Sequence, residues 1–119
     1  MTTHTFDYVI VGSGTAGSVL THRLSEDPDT SICVLEAGGR DLNPFIHIPA
    51  GFMKTLVNPN VNWCYEMMPS EGTAGRTVMQ PRGKTLGGSS SINGHIYNRG
   101  QRMDFDVWAQ MGNRGWSYA

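Results

Sequence analysis

Residues 7–20 read DYVIVGSGTAGSVL, and this stretch decides the fold class. The β-branched and aromatic run Phe6–Val11 predicts a buried strand, which ends at Gly12. Ala16–Glu26 predicts a helix, because its apolar residues recur at i, i+3, i+4 and i+8. Ser31–Leu35 is short and apolar on both faces, as strands of parallel sheets are. A strand, a helix and a strand within about 30 residues form a βαβ unit, so the sequence predicts an α/β fold with a right-handed crossover.

The loop between the first strand and the helix has the pattern GxGxxG. Gly12 permits a tight turn, Gly14 lets backbone N–H groups approach a pyrophosphate, and Gly17 lets the helix pack against the strand. Glu36 ends the second strand, where an acid accepts hydrogen bonds from a ribose and repels the 2′-phosphate of NADP. The arrangement predicts a dinucleotide site, and the alternative is a glycine turn without a ligand. The residues predicted to contact the cofactor here are Gly12, Ser13, Gly14, Thr15, Ala16 and Gly17.

A second glycine-rich stretch, Pro81–Asn93, reads PRGKTLGGSSSIN. Its glycine pair, Gly87–Gly88, exposes backbone amides, and Ser89–Ser91 are expected to cap the following helix and to donate to an oxygen-rich ligand. The stretch therefore predicts a second contact with the same cofactor. It is not a P-loop, because Val78 stands five residues before Gly83, where the Walker A pattern requires glycine.

The rest of the chain has weak periodicity. Five prolines interrupt the pattern from Gly38 to Pro81, and a long irregular stretch is more often functional or packed on a partner than independently stable. Ile92 and Ile96 lie one turn apart on a predicted helix near the C-terminus. The predicted elements are helices over 50–57, 89–98 and 104–111 and extended segments over 62–67 and 76–79.

The composition of the 119 residues departs from the average in two ways. Charged residues make up 16% of the chain, against about 25% in ordinary domains, and glycine, with 15 residues, is about twice as frequent as usual. Both features indicate a segment that is covered by other protein or wrapped around a cofactor. The formal net charge of −1 argues against nucleic-acid binding and against electrostatic attachment to a membrane. The sequence therefore predicts a fragment of a larger protein.

Targeting and metal-binding signals are missing from the sequence. The N-terminus lacks a signal-peptide pattern, and nothing approaches the roughly 18 apolar residues of a transmembrane helix. Cys33 and Cys64 form neither a CxxC motif nor a disulfide framework, and no cluster has the spacing of metal ligands. We expect Cys33 to be a buried thiol, which is typical of a reducing compartment, so a cytoplasmic location is predicted.

Three stretches resemble the N-terminal flavin-binding part of the glucose-methanol-choline (GMC) oxidoreductases. They are DYVIVGSGTAGSVL at 7–20, VLEAGG at 34–39 and PRGKTLGGSSSINGHIYNRG at 81–100. The resemblance runs from about Asp7 to Tyr118 and is greatest to bacterial alcohol dehydrogenases related to choline dehydrogenase. It implies a larger two-domain fold of which residues 1–119 are the N-terminal part of the FAD-binding domain. The family's substrate domain and its catalytic histidine pair would lie outside this chain, so no catalytic residue is expected here.

The resemblance also implies FAD, with its pyrophosphate on Gly12–Gly17, its adenosine ribose on Glu36 and its adenine beside Ala37. Trp63 matches a family position close to the cofactor, although plain core packing is an equal alternative. Some family members attach FAD covalently through a histidine at the position of Ile92, so FAD is expected to be non-covalent here. The remaining residues assigned to the cofactor site are Gly83, Gly87, Gly88, Ser89, Asn93, Gly94, His95 and Ile96.

His95 stands where relatives carry an apolar residue such as methionine. It could tune the flavin or contact substrate, and the alternative is a hydrogen-bonded structural histidine. The other histidines, His4, His22 and His47, match no catalytic motif.

The function implied is the oxidation of an alcohol, with hydride passing to flavin N5. The partners implied are the remainder of the enzyme and a small-molecule alcohol. The alternatives are a fatty-acid photodecarboxylase of the same family and a non-catalytic nucleotide-binding module.

Overall fold

A computed structural model describes residues 2–118, and their N-terminal part is a βαβ unit. The two strands pair in parallel, with Tyr8 opposite Ile32 and Val11 opposite Leu35. The predicted α/β start is therefore confirmed, and the observed ends of its elements differ from the predicted ends by no more than two residues. The elements of this unit are β1 (Tyr8–Val11), α1 (Thr15–Leu24) and β2 (Ile32–Leu35).

Asp7 and Ser31 join the two strands at the end of the sheet opposite the glycine loop. The Ser31 N–H donates to Asp7 Oδ2 at 2.8 Å, and the Asp7 N–H donates to Ser31 Oγ at 3.0 Å. The Ser31 hydroxyl also donates to the Asp7 carboxylate. The hydrogen bonds from the Ser31 side chain and backbone hold the pKa of Asp7 below its ordinary value. This pair fixes the register at the point where both strands begin.

Short elements follow β2. The predicted helix over 50–57 is divided into a 3₁₀ turn at Pro49–Gly51 and a helix at Phe52–Thr55. A preceding helix at Pro44–His47 was not predicted, although its sequence carries a start signal: Asn43 Oδ1 accepts from the Phe45 N–H at 3.0 Å, and proline follows at N1. The elements of this region are α2 (Pro44–His47), α3 (Phe52–Thr55), β3 (Tyr65–Met67) and β4 (Val78–Gln80).

The two extended segments predicted in this region form an antiparallel hairpin. Tyr65 of β3 pairs with Gln80 of β4, and Met67 pairs with Val78. A 3₁₀ turn at Glu71–Thr73 lies between the two strands. Because the hairpin ends beside the second glycine-rich stretch, it brings residues 61–65 next to residues 80–84.

Two helices complete the described chain, α4 (Ser89–Ile92) and α5 (Arg102–Gln110). The helix predicted over 89–98 is wrong beyond its first turn, because Asn93 Oδ1 accepts from the His95 N–H at 2.9 Å and His95 has a φ of +55°. A side chain that bonds the backbone two residues ahead competes with the helix. The helix predicted over 104–111 is confirmed as α5. No helix within residues 2–118 is long and apolar enough to cross a membrane.

Few side chains are buried within the part of the chain that the structure describes. The buried apolar side chains are those of Val61 and Ile92, whereas Val11 of β1 is 83% exposed. Cys33 is half-buried among the residues that the structure describes, so the prediction that its thiol is buried is wrong there. Parallel strands are normally covered on both faces. The exposed apolar side chains of β1 and β2 therefore have the character of a surface that further protein covers.

Candidate cofactor-binding site

The three glycines of the first motif differ in what surrounds them. Gly12 has a φ of +92°, a conformation that side chains rarely adopt. A Cβ on Gly17 would lie 2.0 Å from the carbonyl oxygen of Gly12, so only glycine lets α1 approach the end of β1. A Cβ on Gly14 would meet only Gly88 Cα, at 3.9 Å. Gly14 thus borders open space, as a backbone that receives a ligand requires.

The N-terminus of α1 opens into this loop without a side-chain cap. Gly14 occupies the N-cap position, and the first turn, which includes the exposed residues Thr15 and Ala16, contains no acid. Unpaired N–H groups and the positive end of the helix dipole favour an anion at such a terminus. The last turn of α1 contains the basic residues His22 and Arg23, which suit the negative end of the helix dipole.

The Glu36 carboxylate lies against the same loop. The Ser13 N–H and the Ser13 hydroxyl donate to Oε2 at 2.8 and 2.7 Å, and the Gly38 N–H donates to Oε1 at 2.8 Å. Burial opposes ionisation of this carboxylate, but the hydrogen bonds from Ser13 and Gly38 outweigh it, so the pKa of Glu36 lies below its ordinary value. Glu36 is therefore an ionised acceptor at neutral pH.

The second glycine-rich stretch packs directly on the first. The Gly87 N–H donates to the Ser13 carbonyl at 3.0 Å, and a Cβ on Gly88 would lie 2.8 Å from Gly14 Cα. Further along, the Thr85 hydroxyl donates to the Gly39 carbonyl at 3.1 Å. The two motifs, about 70 residues apart in the sequence, thus form one junction, as expected if they border the same ligand.

A groove of about 390 Å³ lies at this junction. Trp63 is 40% exposed and stacks on Tyr65, with ring centroids 5.8 Å apart and an angle of 5° between the planes. Lys84 Nζ lies 4.6 Å from the Trp63 ring centroid. Trp63 therefore forms part of an open aromatic wall. Of the predicted site residues, the groove is lined by Gly12, Gly14, Glu36, Ala37, Trp63, Gly83, Gly88 and Ser89.

The residues that shape the groove but were not assigned from the sequence include Tyr65, Arg82 and Asn62. Tyr65 and Arg82 line it, and Tyr65 could have been found because alternate residues of an extended segment share a side. Asn62, only 1% exposed, donates from Nδ2 to the Leu56 carbonyl at 2.6 Å. Its Oδ1 accepts from the N–H groups of Cys64 and Arg82, both at 2.9 Å. Asn62 thereby fixes the backbone on both sides of Trp63.

The serines after the glycine pair act differently from the prediction. No side chain caps α4, whose N-cap is Gly88 with a φ of +56°, so the predicted serine cap is wrong. Ser90 and Ser91 donate their hydroxyl protons to the carbonyls of Gly87 and Leu86, at 2.6 and 2.8 Å. The Ser89 hydroxyl accepts from the Gly83 N–H at 3.0 Å, which leaves its own proton for a ligand in the groove.

The last predicted residues, Asn93–Ile96, do not line the groove. Ile96 is 89% exposed, and the His95 ring packs edge-on against Phe52, with centroids 6.2 Å apart. His47 Nε2 contacts the Asp41 carbonyl, which fits a structural histidine. Within residues 2–118, no group of three or more His, Cys, Asp or Glu side chains is placed to hold a metal ion.

Comparison with known proteins identifies the family. Residues 6–119 match the family described as GMC oxidoreductase. This chain belongs to the GMC oxidoreductase family. Over 113 residues it is 51% identical to an oxygen-dependent choline dehydrogenase of Sinorhizobium fredii and 47% identical to an alcohol dehydrogenase [acceptor] of Pseudomonas putida. Each match covers 95% of this chain, but only 21% and 20% of the relatives.

Solved structures give the same result. Pyridoxine 4-oxidase from Mesorbium loti superimposes with a TM-score of 0.80 at 40% identity, over 96% of this chain and 22% of that enzyme. A formate oxidase from Aspergillus oryzae, studied for modification of its FAD, superimposes with a TM-score of 0.77 at 38% identity, over 95% of this chain and 20% of that enzyme. The GMC oxidoreductase family and the FAD of the formate oxidase identify FAD as the cofactor. The family resemblance and the α/β fold class are thereby confirmed, and the chain spans about a fifth of the length of the relatives it matches.

Proposed function

We propose that this chain supplies the FAD-binding portion of an enzyme that oxidises an alcohol. The observation that carries the proposal is the junction of the two glycine motifs around the ionised Glu36, in one groove with Trp63. FAD held by these residues would supply the hydride acceptor, flavin N5, for the oxidation of the alcohol carbon. The chain's own residues bind and orient the cofactor.

The groove offers a separate contact for each part of FAD. The uncapped N-terminus of α1, behind Gly14, suits the pyrophosphate, because N–H groups and the helix dipole attract anions. Glu36 would accept a hydrogen bond from the adenosine ribose, and Ala37 would contact the adenine. The Trp63 ring gives the groove an aromatic surface. The second glycine motif would hold the flavin end of the cofactor.

The catalytic groups and the substrate domain are supplied by the rest of the enzyme. Support comes from the relatives, of which this chain covers about a fifth, and from the exposed apolar side chains of β1 and β2. Choline dehydrogenase and alcohol dehydrogenase among the relatives favour a small-molecule alcohol as the substrate. The cytoplasmic location expected from the sequence remains a prediction.

Anaerobic reduction tests this proposal in the full-length protein that contains the chain. Addition of a substrate alcohol should bleach the oxidised flavin spectrum, and no bleaching should follow addition of the matching alkane. A flavin that no alcohol reduces, in a protein that releases carbon dioxide from a fatty acid under blue light, would favour the photodecarboxylase alternative. A purified protein without a flavin spectrum would favour the nucleotide-binding module.

A further inference from the structure

Ser13, between the first two glycines, is 4% exposed and directs both of its donors at one atom. Its N–H and its hydroxyl donate to Glu36 Oε2, at 2.8 and 2.7 Å. The other carboxylate oxygen, Oε1, accepts from the Gly38 N–H at 2.8 Å. A carboxylate has about four lone-pair sites, two on each oxygen. The protein therefore fills Oε2 and leaves one acceptor site on Oε1.

We propose that Ser13 is a positioning residue, whose hydroxyl holds the Glu36 side chain so that Oε1 alone accepts a hydrogen bond from the cofactor ribose. This inference rests on the proposed function and adds to it a residue that acts through Glu36. A side chain fixed in its binding rotamer before the ligand arrives loses less entropy on binding.

The backbone around Ser13 is held independently of its hydroxyl. The Ser13 carbonyl accepts from the Gly87 N–H at 3.0 Å and from the Ser18 hydroxyl at 2.9 Å. The Ser13 N–H retains its own bond to Glu36 when the hydroxyl is removed. Substitution of Ser13 by alanine therefore removes one donor to the carboxylate and leaves the loop in place.

Loss of that donor also changes how affinity depends on pH. The hydrogen bonds to Glu36 keep its pKa below the ordinary value, so removal of one of them raises it. Arg40, Arg82 and Tyr65 also line the cavities around Glu36, and Glu36 is the one carboxylate among the described residues that line them. The decrease in FAD affinity at acid pH should therefore begin at a higher pH in Ser13→Ala than in the wild type.

The test is FAD titration of the full-length apoprotein, followed by flavin fluorescence from about pH 7 down to about pH 3, which lies below the ordinary glutamate pKa of about 4.3. Ser13→Ala should weaken FAD binding about tenfold at neutral pH, because a hydrogen bond to a charged group is lost. Ser25→Ala is the matched control, since it removes a hydroxyl at the C-terminal end of α1 that contacts the His22 carbonyl and not the glycine loop or Glu36, and its Kd should stay within about twofold of the wild type. In a Glu36→Gln background, Ser13→Ala should weaken binding by less than about twofold, because no carboxylate remains to be positioned.

The outcomes distinguish this inference from the proposed function. Weak binding by Glu36→Gln with wild-type affinity in Ser13→Ala would overturn the role of Ser13 alone. It would also be overturned if FAD affinity decreased at the same acid pH in Ser13→Ala and the wild type. The same holds if the Kd of the double variant rose by the product of the two single fold-changes. If Glu36→Gln bound FAD with wild-type affinity, the proposed ribose contact and this inference would both be contradicted. If Ser13→Ala does not fold, Ser13→Cys, which retains the volume with a weak donor, is judged by the same criteria.

Discussion

Glu36 carries the negative charge at the centre of the groove, and its charge and its length can be separated by substitution. Glu36→Gln should weaken FAD binding about 10- to 100-fold, because hydrogen bonds to a charged acceptor contribute roughly 1.5–3 kcal/mol. Glu36→Asp retains the negative charge on a shorter side chain, so it should weaken FAD binding less than Glu36→Gln does. Because the pKa of Glu36 is lowered in the folded protein, its contribution is complete at neutral pH and is lost as the pH falls through that lowered value. Equilibrium titration of the apoprotein measures each Kd, and equal values in the wild type and Glu36→Gln would rule out the ribose contact.

Ile92 occupies the position through which some family members attach FAD. Its side chain is only 2% exposed and has no nucleophilic or acidic group with which to form a bond. Acid precipitation of the holoprotein should therefore release all of the yellow colour into the supernatant. Flavin that stays with the washed pellet would show a covalent link at another residue.

Asn62 is a polar residue on which the wall of the groove depends. Substitution by alanine leaves the N–H groups of Cys64 and Arg82 and the Leu56 carbonyl without their partner. These groups are partly buried, and an orphaned buried polar group costs about 1–3 kcal/mol, so Asn62→Ala should lower the stability of the full-length protein by about 2 kcal/mol. The exposed Asn60 provides the control, and Asn60→Ala should change stability by less than about 0.5 kcal/mol. Equal denaturant midpoints for the two variants would contradict this role.

At the scale of elements, the pairing of β1 with β2 depends on the contact between Asp7 and Ser31. In the full-length protein that contains the chain, Asp7→Ala should lower the melting temperature at pH 7, whereas Asp29→Ala, in the turn before β2, should not. The pKa of Asp7 is lowered by its bonds to Ser31, so the stabilisation is present above the ordinary pKa and disappears as the pH falls through the lowered one. Melting curves of the wild type and Asp7→Ala should therefore converge at acid pH. A difference that is independent of pH would show that the carboxylate charge is not involved.

Local patterns in the sequence were sufficient for some elements and not for others. The βαβ unit was predicted because strand composition, helical spacing and the glycine loop are all short-range signals. The prediction of a helix over 89–98 was wrong beyond its first turn. The hydrogen bond from the His95 N–H to the Asn93 side chain competes with the helical backbone, and the spacing of apolar residues does not reveal it. The contact of Gly87 with Ser13 and the three bonds of Asn62 join distant parts of the chain, and no pattern within one segment contains them.

At the scale of the whole molecule, the described chain is more extended than a domain of its length. Its radius of gyration is 18.6 Å, against about 13–14 Å expected for a compact domain of this size. The segment after α4 adds to this extension, because Phe105, Trp108 and Trp116 pack mainly on one another. Apolar side chains also remain exposed along β1 and β2. These surfaces, in a chain about a fifth as long as its relatives, have the character of surfaces that further protein covers.

Residues 1–119 expressed alone should therefore be insoluble or loosely folded and should bind FAD only weakly. The physical reason is that the two-stranded sheet of β1 and β2 has apolar faces with too little to cover them, and exposed apolar patches favour aggregation. Calorimetry should show no cooperative transition, and alcohols should bleach no flavin. Co-expression with the region that corresponds to the rest of a GMC oxidoreductase should restore a bound flavin, and the same co-expression with Glu36→Gln in this chain should restore less. A sharp melt and alcohol-dependent bleaching from residues 1–119 alone would show that the chain folds and acts independently.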